Sequence, residues 1–217
     1  MPYTLSDAIQ EFQQSISEMI PEEIKSQMLK GKEELKSSGI ATGLTVGTIA
    51  PNFILKDPTD QDISLYEELE KGPVILTFYR GTWCPYCNLE LRAYENFVSP
   101  INELGAQVIA VSPQTPDNSL SMKEKNELSF HVLSDPNGQV ATQYNLLHQL
   151  PDYLVEIYKQ MGGDVPAHNG EDSWTLPVPG TFIIDKDKTI CLASVDADYT
   201  KRAEPSEVVE KLNSLSK

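Results

Sequence analysis

Cys84 and Cys87 are separated by two residues in TFYRGTWCPYCNLEL (77–91), directly after an apolar run and directly before a segment of helical character. Cysteines at this spacing support three chemistries: half of a metal clamp, a structural disulfide, or a redox centre. A zinc site takes about four ligands, typically two such pairs or one pair with two spaced histidines. Here the next cysteine is Cys191, and His131, His148 and His168 are scattered, so the spacing fits metal poorly and no metal is expected. The start MPYTLSDAIQ lacks the basic and apolar regions of a signal peptide. The expected compartment is therefore the cytoplasm, where structural disulfides are rare. Cys84, Cys87 and Cys191 are too few for a disulfide scaffold.

The redox reading has a physical mechanism. PVILTFY (73–79) is a continuous apolar run, suited to a strand buried on both faces. Cys84 then falls at the carboxyl end of a central strand, where α/β folds place their sites. Pro85 favours the first position of a helix. Cys84 is thereby placed at or beside the N-cap, facing unpaired backbone N–H groups and the positive end of the helix dipole. Such a setting lowers a thiol pKa to roughly 3.5–7.5 and populates the nucleophilic thiolate. Cys87 lies one turn further on, on the same face, and Arg80 adds positive charge nearby. In this reading Cys84 attacks and Cys87 resolves. Cys84 is expected to be the more exposed and more acidic sulfur. Trp83 adjoins Cys84 and can report its state by fluorescence. Tyr86, between the cysteines, is expected at the surface, where a reductant docks.

The elements that must position this pair follow from periodicity. Residues 3–38 read as helical: Leu5, Ile9, Phe12, Ile16, Met19 and Ile20 recur every three to four residues, and Pro21 restarts a second helix. This N-terminal helical extension (1–43) is open to two readings, a packing element or an arm for a homodimer. From residue 44 to 217 the pattern becomes a single α/β domain. Two short strands flank a turn at 58–60, and 73–79 is the buried strand. A helix over about 85–104 leads to a second buried strand, 106–112. A helix follows from about 115, then a strand FHVLSD, a short helix NGQVATQYNL and a helix over 151–161. Residues 166–180 read as a polar loop, TFIIDKDKTICLASV as a hairpin turning at 185–188, and 205–215 as a closing helix. Cys191, between Ile190 and Leu192, reads as a small buried core residue. His131 and His148 carry no motif and read as structural. His168, Asp172 and Trp174 share the loop that leads to Pro179, and so form a candidate lid over the pair.

A net charge of −15 argues against nucleic acid and against anionic membrane surfaces as partners. No apolar run approaches the roughly 18 residues of a membrane span.

With these residues in hand, the chain resembles the thioredoxin superfamily, and within it the peroxiredoxin-like proteins of the alkyl hydroperoxide reductase/thiol-specific antioxidant group. The resemblance covers roughly residues 44–215. It rests on VGTIAPNF, on VIAVSPQTPDN with FHVLSDPNGQVATQYNL, and on GTFIIDKDKTI. YRGTWCPYCNLEL, the loop PAHNGEDSWTLPVPG and the tail VDADYTKRAEPSEVV are similar to one subgroup. The resemblance implies a thioredoxin-like fold, a central mixed β-sheet flanked by helices. It also implies a peroxidatic Cys84, a Cys84–Cys87 disulfide, reduction by thioredoxin or a similar dithiol, and no cofactor.

Two departures bear on the chemistry. Typical members carry Pro-x-x-x-Thr-x-x-Cys before the reactive cysteine. Here Gly81 stands three before Cys84, the threonine is displaced to Thr82, and Arg80 occupies the place of the proline. Members also carry an arginine just before the closing strand, where this chain has Pro179. A cis-proline facing the Cys-x-x-Cys is the thioredoxin arrangement, so a cis Val178–Pro179 bond near both sulfurs is expected. Whether Arg80 or Arg202 replaces the missing arginine is open at this point. The reading is a thiol peroxidase acting on hydrogen peroxide or organic hydroperoxides. A thioredoxin-like disulfide oxidoreductase and a redox-sensing binding domain are the alternatives.

Overall fold

The computed structural model describes residues 3–215. Two helices come first, α1 (Leu5–Ser17) and α2 (Glu22–Ser38). α1 starts on a reciprocal cap: the Thr4 hydroxyl oxygen accepts from the Asp7 N–H, and the Asp7 carboxylate accepts from the Thr4 N–H. Gly39, at φ 70°, closes α2 in the left-handed region. There follow β1 (Ile54–Lys56), β2 (Asp62–Ser64), α3 (Leu65–Lys71), β3 (Val74–Phe78), α4 (Pro85–Glu95), α5 (Val98–Glu103), β4 (Gln107–Ser112) and α6 (Pro116–Lys125). The chain continues with β5 (His131–Ser134), α7 (Gln139–Gln143), β6 (Leu147–Gln149), α8 (Asp152–Gln160), α9 (Val165–Asn169), β7 (Thr175–Pro177), β8 (Gly180–Ile184), β9 (Ile190–Val195) and α10 (Pro205–Leu215).

One sheet runs in the order β2-β1-β5-β4-β3-β8-β9, and β6 pairs with β7 in a separate ribbon. β3 is parallel to β4, and β4 to β5; β8 and β9 join antiparallel, as do β1 and β2. The sheet is thus mixed and flanked by helices, the thioredoxin-like layering expected from the sequence. Side chains alternate across it because a strand has a period of two. Val74, Leu76 and Phe78 join the core on one face, with Tyr144 and Phe182. Ile75 and Tyr79 join the core on the other, with Cys84, Cys87, Leu91 and Tyr94. Both sulfurs are therefore part of a packed core.

The expected long helix over 85–104 is two helices. Pro100 has no N–H to donate and its ring clashes one turn back, so α4 closes at Asn96 and α5 restarts after Phe97. The expected polar loop over 166–180 contains α9 and β7. Among the described residues no helix is long and apolar enough to cross a membrane.

Candidate active site

β3 delivers the chain to the pair, and the turn between β3 and α4 is set by Gly81. Its φ of 152° lies in the region that favours glycine. A Cβ there would fall on the Trp83 indole and 3.0 Å from the Gln114 side-chain oxygen. The turn is tied at both ends: the Cys84 N–H donates to the Gly81 carbonyl at 3.0 Å, and the Thr82 N–H donates to Gln114 Oε1 at 2.6 Å. Thr82 Oγ1 donates to the Asn118 carbonyl at 2.9 Å. Its hydroxyl is thereby committed to α6, and Thr82 holds the turn. Asn88 Nδ2 donates to the carbonyls of Thr82 and Cys84, both at 2.8 Å.

Cys84 is the N-cap of α4, with extended backbone (φ −85°, ψ 111°), and Pro85 opens the helix. Its side chain makes no capping hydrogen bond, and its position at the helix start puts the thiol at the positive end of the α4 dipole. Burial opposes ionisation of the Cys84 thiol, but the hydrogen bond from Cys87 and the charges of Arg80 and Arg202 overcome it. The result is a thiol pulled down from 9.0 to about 6. Cys87 moves the other way, raised by burial and by the bond and charge of Cys84. Its sulfur accepts from the Arg80 N–H at 3.4 Å and from Arg202 Nη2 at 3.5 Å. The order of acidity matches the sequence reading, whereas the exposure does not: Cys84 is 1% and Cys87 0% exposed.

Both candidate arginines converge on the pair. Arg80 lies under aromatic rings, 4.3 Å from the Tyr199 centroid and 4.8 Å from that of Trp83. Arg202 comes from the tail between β9 and α10. Its Nε lies 3.0 Å from Glu90 Oε2, and both side chains are buried. The alignment leaves Nε–H and Nη1–H without a hydrogen-bonded acceptor, so the pair is held by charge. Burial pushes the Glu90 carboxyl up to about 7, against the pull of Arg202. Glu90 and Tyr199 were not singled out from the sequence. Glu90 had a signal: it is the one charge on a helix face otherwise formed by Cys87, Leu91 and Tyr94.

Several expectations are corrected. No cis peptide bond occurs among the described residues, so Val178–Pro179 is trans. Pro179 instead walls two small cavities, one shared with Arg80 and Tyr199 and one with Glu90 and Arg202. Tyr86 is half-buried, edge-on to Phe12 of α1 at 5.4 Å and beside Tyr199 at 5.7 Å. His168 lies 6.5 Å from Trp83 between centroids, Trp174 packs on the core cluster of Leu150, Tyr158 and Leu176, and neither lines the cavity that reaches Cys84. Among the described residues that cavity is covered by Phe12, Ile16 and Ile20, not by the 166–180 segment. Asp172 does not line the pair's cavity either, but a separate surface hollow with Asp164 and Gly170. His148 lies by Arg80, its pKa lowered to about 4 by burial and then by that charge. Cys191, expected buried, is half-buried on β9, its sulfur 3.6 Å from the Thr189 carbonyl. Among the described residues no cluster of three or more His, Cys, Asp or Glu side chains is arranged to hold a metal.

Several known proteins are similar to this chain. A bcp protein of Haemophilus influenzae, which carries a peroxiredoxin name, is 34% identical over 103 residues, covering 48% of this chain and 66% of that relative. The chain thus spans just under two thirds of that relative's length. A thiol-disulfide oxidoreductase ResA of Bacillus thuringiensis is 24% identical over 159 residues, 73% of each chain. Among solved structures, peroxidoxin BcpB of Mycobacterium tuberculosis shares the fold at a TM-score of 0.63 and 20% identity, over 79% of this chain and 98% of its own. Residues 46–193 match the AhpC/TSA family as a whole, and the chain belongs to that family.

Proposed function

We propose that the chain is a thiol-dependent peroxidase in which Cys84 is the attacking sulfur and Cys87 the resolving one. The observation that carries this reading is the buried Cys84 thiol at the start of α4, pulled to about 6 by the Cys87 hydrogen bond and the charges of Arg80 and Arg202. The Cys84 thiolate attacks the terminal oxygen of a hydroperoxide. The S–O bond forms, the O–O bond breaks, and the departing alkoxide takes a proton to leave as an alcohol, or as water when the substrate is hydrogen peroxide. Cys84 is left as a sulfenic acid. Cys87 then attacks the Cys84 sulfur, the S–O bond breaks, and hydroxide departs with the Cys87 proton as water. The Cys84–Cys87 disulfide is returned to two thiols by a thioredoxin-type dithiol, which is itself oxidised to a disulfide.

The relative named as a thiol-disulfide oxidoreductase suggests protein disulfide exchange as a second reading. Burial weighs against it. With both sulfurs at or below 1% exposure and α1 over the cavity, a peroxide fits where a protein disulfide does not. The reductant meets the pair only once this cover opens. The test is rapid mixing of reduced protein with hydrogen peroxide, followed by tryptophan fluorescence and thiol titration. Two thiols lost per peroxide, in a phase far faster than for a free thiol, is the expected result. Thiol loss no faster than that of a free cysteine, with hydrogen peroxide and with an organic hydroperoxide alike, would end the peroxidase reading.

A further inference from the structure

Cys84 forms part of the wall of a cavity of about 240 Å³ that side chains of α1 also line. Its lining is mostly apolar, with Phe12, Ile16, Ile20, Met28, Met161 and Trp83 among the walls. An apolar cavity of about 150 Å³ holds a benzene molecule, so this one has room for a substituted ring. A small polar peroxide needs no such space.

Phe12, Ile16 and Ile20 precede the segment shared with the family, residues 46–193. The family match therefore assigns them no role. The sequence spaces them four apart, which aligns them on one side of α1 and its end, and all three are half-buried. α1 is fixed over the site by contacts from elsewhere in the chain. Glu204 accepts from the Leu5 and Ser6 N–H groups at 3.0 and 3.2 Å, and Phe12 meets Tyr86 edge to face. Glu204 lies two residues after Arg202, so one tail anchors both the cation at the sulfurs and the helix that covers them.

We propose that α1 makes this cavity a specificity pocket for hydroperoxides with a bulky, uncharged apolar group, held with the O–O bond at Cys84 and the apolar group against Ile16 and Met161. The inference rests on the peroxidase reading. It adds the residues that select the substrate, and selection follows from apolar surface removed from water as the substrate enters. The one charged side chain in the wall, Arg80, is covered by aromatic rings, so the pocket offers little to water or to hydrogen peroxide.

Single-turnover oxidation of the reduced protein tests this, with cumene hydroperoxide, tert-butyl hydroperoxide and hydrogen peroxide compared by tryptophan fluorescence. The second-order rate constant is expected to rise in the order hydrogen peroxide, tert-butyl, cumene, with at least about tenfold between the extremes. Ile16→Trp, which fills the cavity, should lower the ratio of the cumene constant to the hydrogen peroxide constant about tenfold. Ile16→Asn, which makes the wall polar without filling it, should lower the same ratio by a smaller factor. A hydrogen peroxide constant equal to or above the cumene constant, or a ratio unmoved in both variants, overturns this inference and leaves the peroxidase reading standing. Absence of fast oxidation by all three peroxides overturns both.

Discussion

The junction between β3 and α4 and the tail between β9 and α10 act on the same two sulfurs by different rules. At the junction most determinants lie within a few residues of Cys84, with Gln114 and Asn118 the ties from elsewhere. Gly81 turns the chain, Thr82 and Asn88 tie the turn, and Pro85 starts the helix that leaves Cys84 at its N-cap. In the tail the determinants are distant. Arg202 contacts Cys87 from 115 positions along the chain, and its companion charge, Glu90, belongs to α4. The tail is itself held by Asp198, which accepts from the Thr200 hydroxyl at 2.8 Å and pairs with Lys32 of α2 at 2.7 Å. Local geometry thus presents a cysteine to a helix end and supplies the Cys87 hydrogen bond and the Arg80 charge that favour its thiolate, and the distant Arg202 adds to that pull.

The largest effect expected from breaking this arrangement is at Cys84 itself. Cys84→Ser should abolish peroxide turnover. Cys87→Ser should react once, leaving a sulfenic acid on Cys84 that a dimedone-type reagent traps. That variant should then pass more readily to sulfinic acid, since no neighbouring thiol intercepts the sulfenic acid. Mass spectrometry after one equivalent of peroxide reads the outcome. Trapping on Cys87, or repeated turnover in Cys84→Ser, would reverse the assignment of roles.

Arg202 tests the long-range half. Arg202→Met leaves Glu90 buried without its cation, and removing one partner of a buried pair costs about 3–5 kcal/mol. Adding Glu90→Gln should recover much of that stability, because a neutral amide replaces the orphaned carboxylate. Acidity at Cys84 should not recover. In the native protein, alkylation of Cys84 should climb as pH rises through about 6 and then level, because the thiolate is the reacting form. In the double variant the climb should shift toward the ordinary thiol range. Denaturant titration and pH-dependent alkylation measure the two effects separately, and an unmoved inflection would remove Arg202 from the account of acidity.

Much of the fold was legible because the pattern is local. The run 73–79 announced β3, and Pro85 after Cys84 announced the N-cap. Helix length failed at Pro100, a proline too deep in the reading to be a start signal and too disruptive to be passed through. At the site, the two cysteines and Arg80 could be read from one short stretch. The convergence of Arg202 could not, since spacing carries no information about where an irregular tail returns. Tyr86 was expected at the surface because nothing near it in sequence shows that α1 folds back over it. The reading of Pro179 failed for a related reason: a short likeness to another branch of the superfamily does not fix the backbone at that bond.

The turn before Cys84 gives a smaller effect than loss of the buried cation. In Gly81→Ala the backbone keeps a φ that an L side chain rarely adopts, and the new methyl meets Trp83 and Gln114. Strain of this kind costs of order 1–3 kcal/mol. Because the turn also sets Cys84 on the helix end, oxidation by hydrogen peroxide should slow as stability falls. A folded Gly81→Ala protein with native stability and native oxidation rate would show that the turn does not need glycine.

Cys191 should show the smallest effect, and it isolates what the site adds to a cysteine. It adjoins the same core face as the reactive pair but lies on β9, away from any helix start. Burial raises its thiol pKa, and the nearby charges of Asp185 and Asp187 raise it further, with Lys211 the one cation pulling the other way. A half-buried thiol with this environment is a poor nucleophile at neutral pH. Cys191→Ser should therefore keep peroxide turnover within about twofold, with a stability change within about 1 kcal/mol, the ordinary scale of a substitution outside a special site. Timed alkylation of the native protein should label Cys84 first and Cys191 much later at pH 7. Early labelling of Cys191, or large loss of turnover in a folded Cys191→Ser protein, would make it a second resolving thiol and erase the contrast between the helix end and the outer strand.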